Sequence, residues 1–497
     1  MLGIFARKND HPLADDAEVR RIVDGLPALK PEAAVDEVAT WLESLAALAD
    51  FPAALRYQRV AEFDAATIAQ ARRLAREYYG GSPTTRFEEQ KRWQRNLGYW
   101  TQLAAAYRRC LDDADSGVKS GGAALADDAL FYARLLHAQA GRLRWLRLRY
   151  GTVDGALWQE CGAIYLRAVG AGCDRRNVRL HGTPDSATTP LAEYLKALVF
   201  HASSLDNLTP QEIGIVERLI AHCLPHFVFS ATPIPDGSYW IDAAKPQPPL
   251  RLVKAEVLTP SVRLIGAGRV LQEVAALRER IVATRQVPAE LNLGGQYPPE
   301  VVLPVLEHLA NCWSPTPPTR KHARHRIEGQ VAIVAGLRAI HWSLGGGSAL
   351  DESEQWRIED ISQGCMSAKL PLLRNDWVRV GAIVGMRPAG NPVWLVGAIR
   401  RFVRESESQG AAGIETLSKT PRALVASDGS FDTDIILLDG LRDDSAARIL
   451  IAPGSWDPGM PLRVRIDGRS WRLHQDERLD AGTDWLLGRC VVEALPD

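Results

Sequence analysis

The chain has 497 residues, enough for about three domains. Its 46% apolar and 24% charged content are ordinary for a globular protein and exclude a disordered or fibrous chain. The net charge of −1 excludes a general electrostatic affinity for nucleic acid, so any basic cluster is a local feature.

The first ten residues, from Met1 to Asp10, hold an apolar stretch too short for a signal peptide, and Arg7 and Lys8 follow it instead of preceding it. No apolar run reaches the ~18 residues of a membrane span. The cysteines at 110, 161, 173, 223, 312, 365 and 490 are scattered, odd in number and without a Cys-x-x-Cys pair. That pattern opposes a disulfide framework and fits a reducing compartment. A cytoplasmic location without membrane insertion is the expectation.

Residues 1–225 read as a helical domain. Apolar residues recur at helical spacing over 32–48, where Pro31 occupies a tolerated first position, and over 65–79, 88–110, 126–150, 155–169 and 190–203. Thr209-Pro210-Gln211-Glu212 predicts a further helix start, with Thr209 as cap and Glu212 completing a capping box. No 34-residue self-similarity is evident, so a bundle or irregular solenoid is expected. Such a layer either packs on itself or offers a surface to a protein partner.

Residues 226–315 are mixed, with short strands at 227–230, 238–241 and 262–265 and helices at 271–284 and 298–312. Two motifs here tempt an enzymatic reading. Gly266-Ala267-Gly268 follows a strand and opens a helix, but a dinucleotide loop would place its third glycine where Leu271 stands. A plain strand-to-helix turn is the better reading. His222, Cys223 and His226 have metal-like spacing, but Pro225 interrupts them and no fourth ligand is evident. No nucleophile elbow, Walker loop or His-Glu-x-x-His occurs, so the chain is expected to be neither an enzyme nor a holder of metal or cofactor.

The segment ends in a proline-rich hinge, Ser314-Pro315-Thr316-Pro317-Pro318. Arg320-Lys321-His322-Ala323-Arg324-His325-Arg326 follows, with four permanent cations and two imidazoles. These charges cannot be buried without anionic partners, and they would repel a metal ion. A small β-rich domain is expected over 316–418, with strands at 330–335, 355–361, 377–384, 391–403 and 412–417. Turn signals at Gly345-Gly346-Gly347, Arg374-Asn375-Asp376 and Pro388-Ala389-Gly390 separate them. Short strands at this spacing argue for an antiparallel barrel. Residues 419–497 read as a further β module, with strands at 434–438, 447–451, 462–466, 471–473 and 485–492.

Asp360-Ile361-Ser362-Gln363-Gly364-Cys365 ends one of the barrel strands in a tight turn with an acid, a hydroxyl and a glycine. Paired arginines, a hydroxyl and turn amides suit a ligand with both phosphates and guanine edges. The combination resembles the PilZ family, receptors for cyclic di-GMP, whose signature is Arg-x-x-x-Arg followed by Asp/Asn-x-Ser-x-x-Gly in a small β-rich domain. Arg320 and Arg324 match the two arginines, and Asp360 and Ser362 match the next two fixed positions. The third fixed position, glycine in the family, is Cys365, with Gly364 beside it.

The resemblance covers 316–418 and implies a cyclic di-GMP site built from Arg320, Arg324, Asp360, Ser362, Gly364 and Cys365. It implies a bacterial second-messenger receptor that couples ligand binding to a partner-binding helical region. The alternative is a degenerate barrel that no longer binds nucleotide and serves as an interaction scaffold. If Gly364 carries the special turn conformation, Cys365 is expected in extended backbone with its thiol turned inward.

Overall fold

The computed structural model describes residues 11–79, 85–116, 128–183, 186–254, 258–293, 297–316, 323–347, 353–372, 377–482 and 484–496. It has a helical N-terminal region followed by two closed, six-stranded antiparallel β-barrels. The chain divides into two compact units, the first over most of 1–318, the second over 319–497 with the short segments 150–152 and 206–209.

The helical unit contains α1 (Asp16–Gly25), α2 (Pro31–Ala47), α3 (Ala53–Tyr79), α4 (Arg86–Asp115), α5 (Ala129–Arg147), α6 (Gly155–Gly170), α7 (Pro190–Ala202) and α8 (Pro210–Cys223). Their starts are specified locally. Asp15, Asp128 and Asp154 each accept a hydrogen bond from an amide two residues on, and Thr189 from Ala192. Thr85 and Glu88 form a reciprocal capping box, which satisfies two orphan donors at the start of α4. α4 packs against α2, α3 and α5. A Cβ at Gly141 of α5 would lie 2.2 Å from Trp100 Cε3 of α4, so this contact requires glycine.

One buried polar cluster sits among these helices. Asp64 accepts from Tyr107 Oη at 2.8 Å and lies 3.2 Å from His181 Nε2. Glu193 lies 3.0 Å from His137 Nδ1 and accepts from Thr188 at 2.6 Å. Burial alone would raise the Asp64 carboxyl, but the hydrogen bond and charge of His181, the charge of His137 and the Tyr107 hydroxyl outweigh it and hold it low. Burial likewise acts upward on Glu193, and Lys196 and His137 drive it far below the usual carboxylate range. Both carboxylates therefore contribute stability that is present above an unfolded pKa of about 4 and lost as pH falls through the lower folded values. The melting temperature of the helical unit should drop below about pH 4, and Asp64→Asn should flatten that acid limb. An unchanged acid limb in Asp64→Asn would rule Asp64 out as a source.

The unit continues with a two-stranded ribbon, β1 (Val178–Arg179) with β2 (Ala187–Thr188), and a four-stranded sheet. The sheet holds β3 (Val228–Ser230), β4 (Gly237–Asp242), β5 (Leu250–Arg251) and β6 (Val262–Gly266) in the order β3-β6-β4-β5. The helices α9 (Val270–Thr284) and α10 (Pro299–Trp313) follow. No helix among the described residues is long and apolar enough to cross a membrane.

The first barrel holds β7 (His325–Ala335), β8 (Glu354–Ile361), β9 (Cys365–Pro371), β10 (Ile383–Pro388), β11 (Leu395–Arg404) and β12 (Gln409–Ser418), closed in the order β10-β11-β12-β9-β8-β7. A short helix, α11 (Leu337–Leu344), links β7 to β8. The sequence missed both α11 and β9, and it placed the β10 strand six residues early. The second barrel holds β13 (Arg422–Ser427), β14 (Asp432–Leu437), β15 (Ala446–Ile451), β16 (Leu462–Ile466), β17 (Arg469–Ala481) and β18 (Leu486–Ala494). One buried cluster draws from both barrels: Val334, Ile383, Val396 and Ala398 from the first, Ile436, Leu450, Trp485 and Leu487 from the second, with Leu337 and Ile340 of α11 between. The second barrel also keeps its own interior, built on Ile435, Ile449, Leu473 and Val492.

Candidate functional site

Register brings the two sequence motifs together. β7 pairs antiparallel with β8, placing His325 opposite Ile361 and Arg326 opposite Asp360. Arg324, the residue before β7, thereby reaches Asp360 across 36 positions of chain, with Nη1 3.2 Å from Oδ2. The Arg324 side chain is 39% exposed and that of Asp360 22%, so solvent screens the pair and a competing anion can replace the carboxylate at little cost. Arg320 lies outside the described residues.

Two β-bulges shape this rim. One falls between Arg326 and Gly329 of β7, the other between Ile358 and Asp360 of β8. An extra residue on a strand re-aims the side chains beyond it. Ile358 is buried, and in a regular strand Asp360 would share its face. The bulge lets the carboxylate stand at the rim beside Arg324 instead.

The β8–β9 turn completes the site. Ser362 N donates to Cys365 O at 2.8 Å, and Ser362 Oγ reaches the same oxygen at 3.4 Å. Thr416 N donates to Gly364 O at 2.8 Å, which ties the turn to β12. The Ser362 amide is thus committed within the turn. The amides of Gln363 and Gly364 donate to no acceptor among the described residues. The hydroxyl of Ser362 keeps its acceptor capacity.

Two expectations about Cys365 need correction. Neither Gly364 nor Cys365 adopts a positive φ. The Ser362–Cys365 bond closes the turn with ordinary backbone, so glycine is not needed to take a left-handed conformation. Nor does the thiol point inward: Cys365 is exposed, while Met366, Ala368 and Leu370 are buried. The alternation of β9 puts Cys365 on the outward phase. That same alternation is the signal that would have revealed β9 in the sequence.

The sequence also did not identify the groups next to the turn. Glu415 of β12 pairs opposite Cys365. Arg400 Nε lies 2.8 Å from Glu415, and its Nη2 lies 2.6 Å from Asp480 of β17. Arg400 is therefore held by two carboxylates, and burial, which alone would lower its pKa, is outweighed by them.

The motifs set aside on sequence grounds have structural occupants. At the Gly266–Gly268 turn, the Asp236 carboxylate accepts from Gly268 N at 2.5 Å and the Asp236 carbonyl accepts from Ala267 N at 3.2 Å. A carboxylate holds the place that a phosphate would need. Gly268 has φ +51°, and a Cβ there would lie 2.4 Å from His226 O. His222 Nε2 is 3.0 Å from Glu273 of α9, and burial pushes the Cys223 thiol up to about 12, far from a ligating thiolate. Among the described residues no group of three or more His, Cys, Asp or Glu side chains is placed to hold a metal ion.

No curated protein and no solved structure is significantly similar to the chain. Residues 17–235, nearly all of α1–α8 together with β3, match the family model described as the N-terminal domain of the cyclic-di-GMP receptor FimW.

Proposed function

We propose that this chain is a cyclic-di-GMP receptor whose ligand binds at the rim of the first barrel. The observation that carries this reading is the Arg324–Asp360 pair beside the Ser362–Gly364 turn. The match of 17–235 to the N-terminal domain of a cyclic-di-GMP receptor supports it from a different part of the chain.

The ligand offers two phosphates and two guanines. Arg324 exchanges Asp360 for a phosphate or a guanine O6/N7 edge, for which its planar fork is suited. Asp360, released, accepts from guanine N1 and N2 hydrogens. The Gln363 and Gly364 amides donate to ligand oxygens, and Ser362 offers its hydroxyl. Arg320 joins from the segment before β7. Ligand binding then passes the signal to the helical region, which engages a protein partner.

Calorimetric titration of the full chain with cyclic di-GMP tests the binding. Saturable binding that weakens as salt rises is expected, because phosphates are being neutralised. Failure to bind at low salt would remove the assignment. Hydrogen exchange tests the coupling: ligand should slow exchange over 300–326 and on part of the helical region. Protection confined to the barrel would leave binding without the switch.

Cys365 motivates the second reading, a barrel that has lost its ligand and serves as a scaffold. The ordinary backbone at this position argues the other way, since no strain is present for glycine to relieve. Cys365→Gly should therefore change affinity by less than about twofold, under ~0.5 kcal/mol. A wild-type chain without affinity that regains it in Cys365→Gly would favour the scaffold.

A further inference from the structure

The second barrel closes unevenly. β13 pairs with β14 along its whole length, from Arg422 opposite Leu437 to Ser427 opposite Asp432. With β16 it forms one pair, Ser427 opposite Arg463. Beyond that pair, toward Arg422 on one strand and Ile466 on the other, the ladder stops. A cavity of about 460 Å³ opens at this end of the barrel. That volume falls within the range of about 300–1,000 Å³ typical of small-molecule pockets, and barrel mouths are a common place for them.

The lining has two parts. Leu437, Leu441 and Ile466 provide an apolar floor, and the half-buried Trp471 adds an indole. Charged groups form the rim. Asp439 is matched by Arg448, at 2.8 and 2.9 Å. Asp467 is matched by Arg422 at 2.9 Å. Arg469 has no carboxylate partner among the described residues, so a guanidinium is left over at the rim. The Arg422–Asp467 pair is 55% and 78% exposed, so an incoming anion can take Arg422 at little cost.

We propose that the mouth of the second barrel binds a small anion carrying a flat ring, the chemistry of a nucleoside monophosphate. The ring lies against Trp471 above the apolar floor, where stacking on an indole tolerates any base. The phosphate is held by Arg469 and Arg422, for which the guanidinium fork is suited. This site is independent of the rim of the first barrel and does not rest on the reading made there.

The test is calorimetric titration of the full chain with GMP and AMP, beside guanosine and inorganic phosphate as the separate halves of the ligand. A monophosphate should bind at least tenfold more tightly than either half. Arg469→Ala and Arg422→Ala, both exposed positions, should each weaken it at least tenfold, and Arg324→Ala should leave it unchanged. The proposal is overturned if neither monophosphate binds, if guanosine or phosphate alone binds as tightly, or if affinity survives in Arg422→Ala/Arg469→Ala. Loss of binding in Arg324→Ala with retention in Arg469→Ala would also overturn it.

Discussion

Arg324→Ala should weaken cyclic di-GMP binding roughly 10- to 100-fold, since a charge-assisted contact is worth about 1.5–3 kcal/mol. The loss should come with little change in stability. Arg324 and Asp360 are both reached by solvent, so breaking their pair costs the fold under ~1 kcal/mol. Calorimetry gives the affinity, and a thermal melt of the same sample shows that the barrel is intact. Asp360→Asn separates the two roles of that carboxylate. If Asp360 only parks Arg324 in the free state, the variant should bind as well as the parent or better. If it accepts from guanine, affinity should fall. Undiminished binding by Arg320→Ala/Arg324→Ala would remove the assignment of the ligand to this rim.

Trp485→Ala should destabilise the β unit by ~3–5 kcal/mol, the usual cost of emptying a buried aromatic site. Trp485 is 0% exposed and lies in the cluster that draws residues from both barrels. Its Nε1 donates to Gly381 O at 2.9 Å, a carbonyl of the first barrel's chain that the variant would leave without this donor. Gly482 leaves room for the ring, since a Cβ there would lie 2.1 Å from Trp485 Nε1. Because the cluster is shared, the two barrels are expected to unfold as one cooperative unit, and denaturant unfolding should show a single transition for both. Two separate transitions, with Trp485→Ala moving only one of them, would show that the barrels fold independently. A fragment meant to carry the candidate rim site should accordingly extend to the C-terminus and not stop at residue 418.

Much of this architecture is legible in the residues. Helical periodicity marked most of α2–α7, and Thr209-Pro210 with Glu212 marked the start of α8, because both signals are local: an apolar face every 3.6 residues, and cap and proline residues at the first turn. β16 was legible to the residue, since Leu462-Arg463-Val464-Arg465-Ile466 alternates cleanly between turns. β17 was seen only at Trp471–Leu473, because its later residues, including Asp476, Glu477 and Arg478, are exposed and charged and show no apolar alternation. They are held as a strand by pairing with β18. α11 was missed because eight residues after Gly336 are too few for a clear helical period, and its packing against β13 and β14 selects the conformation.

By itself the sequence determined the helical and barrel halves, the basic run, the acid-and-hydroxyl turn, and the order in which the two motifs occur. It carried those because propensity, alternation and motif spacing act over a few neighbouring residues. Only the tertiary structure decided how the motifs meet. The β7–β8 register, shifted by a bulge on β7, sets Arg324 against Asp360, and the bulge of β8 against β9 turns the carboxylate from the inner face to the rim. A bulge is the choice of a paired strand, made by what lies opposite, and no single segment encodes it. The same holds for Cys365, placed outward by the phase of β9 between β8 and β12, and for the open end of the second barrel, where β13 and β16 part after one pair. Each of these features depends on contacts between residues far apart in the chain, where local preference has no influence.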